Sequence, residues 1–535
     1  MMKQTSILLQ ICIALLLATF PASSAYAEKF AGLWHSIAPG LEPGLDTSGM
    51  MSLNISKTAD EKYTAQFTYA DRVPPDPGTP PSLIAKDGQL TMLIPGMWPI
   101  PSGGRYFEQP VIAKITSVGD GSSLNVTLSD AGGYQLNLNF YPDTDARFDR
   151  FKSARLNADG KPTTDYKYSA PTSLSSGFTI STPKAEGLNI GSIEKAVTQY
   201  MAGQYNERPG FLLIVRNGKL ILEEYFFGAT PDRLWLQHSV SKSITSLLVG
   251  VAVEDGVFDI DEPINQYFSE YADTPWMKST GKAGVTPRHL LTMANILGWG
   301  DRNFMSAGSP FLTTFMHPDG FTGGMFQNPV LTTKPDPYFN YSTQITNLLG
   351  ETLARATKTH LSKYMQEKLL APLGEERSFF LTESGVEGDP VEAGSTVGIR
   401  PIAMAKIGQL MLNRGKWNGK QIISKDWVSQ STTVAAIRPN PSTDGYAFSW
   451  WHRKYDFNAF ENPVRMVSAN GRAGQFICIF PDLNTVIVTG GLSFEQPAQT
   501  QLDFVEEHLL PAFNNGNAVE RLEFGPEDLG VKVLN

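Results

Sequence analysis

The segment "SVSKSITSLLVGVAVEDG", residues 239–256, constrains the chain more than any other. From Ile244 onward, Leu247, Leu248, Val251 and Ala252 recur at helical spacing, which predicts a core-facing helix beginning near Ser239. Serine commonly caps such a start. Lys242, one turn in, is harder to place, because an ammonium inside an apolar helix costs free energy unless it finds partners. A helix of this kind belongs in a sizeable core, and its crowded first turn reads as chemistry.

The chain has 535 residues, too many for one ordinary core, so two domains are expected. Charged residues at 18% and hydrophobic residues at 41% describe a globular protein. The net charge of -9, with no long basic run, argues against nucleic acid as a partner. Residues 1–27 combine Lys3, an apolar stretch over 7–20 and small residues at Ala25 and Ala27, the pattern of a secretory signal peptide cleaved after Ala27. The apolar part falls short of the roughly 20 residues of a membrane span, so no stable anchor is expected after cleavage and the mature chain is placed in the periplasm or outside the cell. Cleavage also removes Cys12, leaving Cys478 without a disulfide partner. Cys478, in "QFICIFP", reads as a buried strand residue and not as a nucleophile.

Residues 28–168 carry the alternating runs "MSLNISKT", "YTAQFTYA", "SLNVTLSD" and "YQLNLNFYP", separated by Gly, Pro and Asp, and predict an all-β domain. "RVPPDPGTPPS" lacks the ladder donors of a central strand and reads as an exposed loop. This domain shows no acid pair, histidine cluster or glycine loop; substrate binding, surface attachment and packing stay open as its role. Residues 169–187, rich in Ser, Thr and Pro, read as a linker. Residues 188–513 form the second domain. Ile193, Val197, Tyr200 and Met201 mark an amphipathic helix, and "GFLLIVRNGKLILEEYFFG" folds about Asn217-Gly218, a type I′ hairpin signal. Helices follow at "PRHLLTM", "STQITNLLGETLARAT" and "IAMAKIGQLMLN", strands return at "FICIFP" and "NTVIVTGG", and "TQLDFVEEHLLPAF" closes the domain as a helix. The expected class is α/β of the α+β type: an antiparallel sheet flanked by helices, with a helical subdomain. Residues 514–535 read as a tail.

Ser239 and Lys242 form Ser-x-x-Lys, and positions i and i+3 of a helix share a face. Serine needs a neighbouring base to become a nucleophile, and a desolvated lysine can be that base in its neutral form. The free amides of the helix N-terminus add a favourable field for negative charge. His238 points about 100° away from its neighbour, so it reads as a packing or capping residue, and Ser241 and Ser243, on other faces, as structural. The chain holds no Gly-x-Ser-x-Gly, His-Glu-x-x-His or phosphate-cradling glycine loop, and its seven histidines are scattered, so neither a metal nor another cofactor is called for.

The segments "HSVSKSITSLL", "TPRHLLTM", "FNYSTQITNLLG", "IGQLMLNRGKWNGKQIISKDWV" and "SANGRAGQFICIFPDLNTVIV", in that order across residues 187–513, resemble the serine β-lactamase and penicillin-binding-protein family, above all its class C, esterase and 6-aminohexanoate-dimer hydrolase branches. The resemblance implies a β-lactamase-like catalytic domain in which Ser239 is acylated, Lys242 deprotonates it, and Tyr341 relays a proton to the leaving group and activates water. It places Ala469-Asn470-Gly471 at the family's third element, on a strand beside the nucleophile. The backbone amides of Ser239 and Arg472 would then form the oxyanion hole, with Arg472 on that strand. Gly471 suits a close backbone approach. Asn470, Thr343 and Trp299 fall where substrate-contacting residues lie, although core packing is an equal reading for Trp299.

Two positions depart from the family pattern: alanine stands at 469 in place of lysine or histidine, and threonine at 343 in place of asparagine. Both lost groups help hold the carboxylate and amide of antibiotic-like substrates. The sequence therefore predicts an exported serine hydrolase acting on a small amide or carboxylic ester, with a linear aminohexanoate-type amide favoured. A β-lactam or D-alanyl peptide is the alternative, and a non-catalytic protein binding through its β domain is the reading from another class. Arg472 either supplies the missing positive charge or faces outward, and the oligomeric state stays open.

Overall fold

The computed structural model describes strand segments between 30 and 142, and then 166–529 apart from short breaks and the stretches 172–175, 280–283, 296–299, 302–313, 328–335, 382–389, 438–443 and 492–497. Residues 1–27, the stretch "RVPPDPGTPPS" and Trp299 lie outside the described residues. The chain divides into two compact units, Met1–Lys152 and Ser153–Asn535.

The first unit is an eight-stranded antiparallel sheet running from an edge at Tyr63–Tyr69, through Gly49–Lys57 and Gly32–Ala38, to Gln135–Pro142 and on to Ile84–Lys86 at the other edge. The period-2 pattern of its sequence decides which face is buried. In Ser123–Ser129, Leu124, Val126 and Leu128 point into the core, while Asn125 and Thr127 hydrogen-bond across strands to Asn139 (3.2 Å) and Asn137 (2.6 Å).

In the second unit the central strands of a ten-stranded sheet, Pro209–Arg216, Phe476–Phe480 and Thr485–Gly491, are buried on both faces. Within Pro209–Arg216, Phe211, Leu213 and Val215 face a core shared with the helices Val240–Glu254 and Pro401–Leu412, while Leu212 and Ile214 face another built on Ile190–Met201 and the C-terminal residues Phe504, Val505 and Leu509. The expected hairpin is present: Arg216 pairs with Lys219, and Asn217 and Gly218 both take the positive φ values of a type I′ turn. Among the described residues no helix is long and apolar enough to cross a membrane.

Both ends of this unit extend beyond the expected bounds. Tyr166 is buried and donates to Glu224, and Thr179–Ile180, inside the stretch read as a linker, adds a parallel edge strand to Lys219–Tyr225. Glu186 accepts from Ser181, Asn217 and Lys219, and the Lys219 bond above all holds its carboxyl down at about 2. Within the tail, Glu520–Leu522 pairs with Trp450–Asp456. Ser- and Pro-rich composition does not separate a tethered edge from a free connector, because the tether lies in partners distant in sequence.

Candidate active site

The helix Val240–Glu254 is buried from Val240 to Ala252, and the two residues that lead into it, His238 and Ser239, are half-buried. His238 enters it at φ 47, in the left-handed region that non-glycine residues rarely adopt, and this sharp turn presents Ser239 half-buried. Ser239 occupies the N-cap position yet makes no side-chain cap bond. Its Oγ instead accepts from Lys242 Nζ at 3.0 Å.

Lys242 is 1% exposed. Its three ammonium hydrogens all have acceptors: Ser239 Oγ, Thr343 Oγ1 at 2.9 Å and the Gly394 carbonyl at 2.8 Å. Burial pushes the amine down to about 8, against an opposing pull from the Asp301 carboxylate. The segment carrying the Gly394 carbonyl is tied to the same helix on either side of it: the Val397 amide donates to Ser241 Oγ (3.0 Å), and Thr245 Oγ1 donates to the Ala393 carbonyl (2.9 Å). Ser243 Oγ donates to the Ser449 carbonyl at 2.6 Å. Ser241 and Ser243 thus pin the helix to its neighbours.

Tyr341 follows the short strand Asp336–Phe339, and its ring centroid lies 4.9 Å from Lys242 Nζ. Trp451 (5.6 Å between centroids) and Tyr446 (6.4 Å) stand beside it, so the lysine meets the edge of an aromatic wall. Thr343, expected to contact substrate, has its hydroxyl engaged inside the protein: it accepts from Lys242 and donates to Asp301 Oδ2 at 2.5 Å.

The third element needs one correction. Ala469 and Asn470 end the strand Val464–Asn470, but Arg472 lies in the turn Arg472–Gly474 that follows, not on the strand. The Gly471 amide donates to the Gln475 carbonyl at 2.7 Å and Ala473 takes φ 62, which bends the chain before the next strand, Phe476–Phe480. A Cβ at Gly471 would come within 2.5 Å of the Gln237 carbonyl oxygen, so the absence of a side chain brings this turn against the residues leading into Ser239. The Arg472 residue is exposed, and Asn470 is half-buried.

Asp301, Gly394 and the wall formed by Tyr446 and Trp451 were not found from sequence. Asp301 lies 42 residues ahead of Thr343, with no local spacing to pair them, and a backbone carbonyl has no sequence signature at all.

The beta-lactamase family profile matches residues 193–489, inside the span marked by the sequence motifs, and the chain belongs to that family. It is a serine hydrolase acting on amide or ester bonds. The 6-aminohexanoate-dimer hydrolase of Paenarthrobacter ureafaciens is 25% identical to it over 304 residues, which is 52% of this chain and 70% of that protein. Among solved structures, the octameric penicillin-binding protein homologue from Pyrococcus abyssi overlaps with a TM-score of 0.48 at 19% identity, covering 60% of this chain and 77% of its own. The D-alanine carboxypeptidase AmpC from Burkholderia cenocepacia does so with a TM-score of 0.45 at 17% identity, covering 60% and 99%.

Proposed function

We propose that the protein is an exported acyl-serine hydrolase that cleaves a small linear amide or ester, with a 6-aminohexanoate-type dimer as the favoured substrate class. The observation that carries this reading is the 3.0 Å contact between Ser239 Oγ and the buried amine of Lys242. The neutral amine takes the Ser239 proton as Oγ attacks the carbonyl carbon, and the backbone amides of Ser239 and Arg472 hold the oxyanion. Tyr341, beside the lysine, passes a proton to the leaving nitrogen or oxygen, and water then displaces the acyl group by the reverse route. Alanine at 469 and the internal engagement of Thr343 leave little to hold an antibiotic's carboxylate and amide, which ranks β-lactams and D-alanyl peptides second. The leader-like residues 1–27 support export.

Treatment with a fluorophosphonate followed by peptide mass spectrometry is expected to place the adduct on Ser239, and Ser239→Ala is expected to take none. Turnover of a linear amide dimer, a p-nitrophenyl ester and nitrocefin then ranks the substrates. Preferential nitrocefin hydrolysis would put β-lactams first, and absence of any adduct would favour a binding protein.

A further inference from the structure

The Asp301 carboxylate carries two hydrogen bonds that the acylation scheme does not use. Thr343 N–H donates to Oδ1 at 2.8 Å and Thr343 Oγ1–H to Oδ2 at 2.5 Å, while the Asp301 amide donates to the Tyr341 carbonyl at 2.9 Å. One residue therefore grips both ends of Tyr341-Ser342-Thr343. It also supplies the cap that Ser342, which makes no side-chain cap bond, does not give the helix Thr343–Thr357.

The direction of these bonds matters for the lysine. A carboxylate only accepts, and a hydroxyl owns one hydrogen. With that hydrogen committed to Asp301, Thr343 Oγ1 meets Lys242 as an acceptor, and the Gly394 carbonyl can do nothing else. A neutral amine has two hydrogens and one lone pair. Its hydrogens go to Thr343 and Gly394, and its lone pair is left facing Ser239 Oγ. Resting on the acyl-serine reading above, we infer that Asp301 is a positioning residue: by fixing the Thr343 hydroxyl hydrogen it aims the lone pair of Lys242 at the nucleophile.

The same negative charge favours the ammonium and so opposes burial. The groups around Lys242 are Ser239 on its own helix, Tyr341 and Thr343 from the next segment, the Gly394 carbonyl, and Asp301, with Tyr446 from Gly445–Ala447 facing Tyr341 and Asp301. The charge acting on it from the described residues is that of Asp301.

The test is the rate of Ser239 labelling by a fluorophosphonate in the full chain, followed from about pH 6 to about pH 10. In Asp301→Asn the amide keeps its oxygen on the Thr343 N–H and turns its NH2 toward Thr343 Oγ1, so the hydroxyl hydrogen swings toward Lys242 and competes for the lone pair. The plateau rate is expected to fall about tenfold to a hundredfold. The acid limb is expected to move down by roughly one pH unit, because the charge that favoured the ammonium is gone. In the double variant Asp301→Asn with Thr343→Ala no hydroxyl remains to reverse, and the plateau is expected to recover above that of Asp301→Asn. A double variant no faster than Asp301→Asn would reduce Asp301 to a scaffold and overturn the inference, wherever the limb lies. A wild-type protein that takes no label at Ser239 would instead overturn the acyl-serine reading itself. Should Asp301→Asn not fold, Thr343→Ala is expected to label about tenfold more slowly than Thr343→Ser; equal rates would overturn the inference.

Discussion

In the first unit's sheet, Leu124, Val126 and Leu128 share one core while Asn125 and Thr127 form a polar ladder on the opposite face; in the second, Phe211 through Val215 are buried whichever way they point. A one-sided sheet needs only alternation, and its polar residues stay near water. A two-sided sheet builds an interior deep enough to enclose a whole helix, and only there can a lysine be desolvated to the point of shedding its proton near neutrality. That difference separates a part of the chain with a core from a part with a core and a perturbed base.

The contrast between the two sheets is tested hardest at Lys242. Lys242→Ala is expected to lower the acylation rate by about 10³-fold or more, measured by probe labelling or ester turnover. With the neutral amine as the proposed base, the wild-type rate should climb as pH rises through about 8 and fall away below it. A limb near the ordinary lysine value would mean that burial is not what tunes this group. Gly471→Ala comes next: its Cβ would press on the Gln237 carbonyl, and displacing that turn from Ser239 is expected to cost about tenfold to a hundredfold in rate with the far-UV dichroism unchanged. The weakest response in activity is expected from Phe140→Ala, which empties part of the first core. It should cost that unit about 3–5 kcal/mol in a denaturation experiment and leave Ser239 labelling within about twofold of wild type.

Much of this was legible in the sequence because it is local. The Asn217-Gly218 turn, the alternation of 123–129 and the i, i+3 placement of Ser239 and Lys242 each need only a few neighbouring residues, and the structure has all three. The supporting shell is not local. Asp301 reaches Thr343 only because two distant segments meet, and Gly394 contributes an oxygen that every residue possesses. Arg472 left its expected strand because the 471–475 bond bends the backbone, a choice that the letters "NGRAGQ" leave open. Composition likewise could not distinguish the edge strand Thr179–Ile180 from a connector.

Cys478 sits at 0% exposure on the strand Phe476–Phe480, and burial pushes its thiol up to about 12. It is also the only sulfhydryl beyond residue 27. Oxidants and foreign disulfides need a thiolate within reach, so a closed sheet offers them nothing. In oxidising surroundings, damage at this sulfur would mark just those molecules whose sheet had come apart, leaving a lasting chemical record of each such lapse.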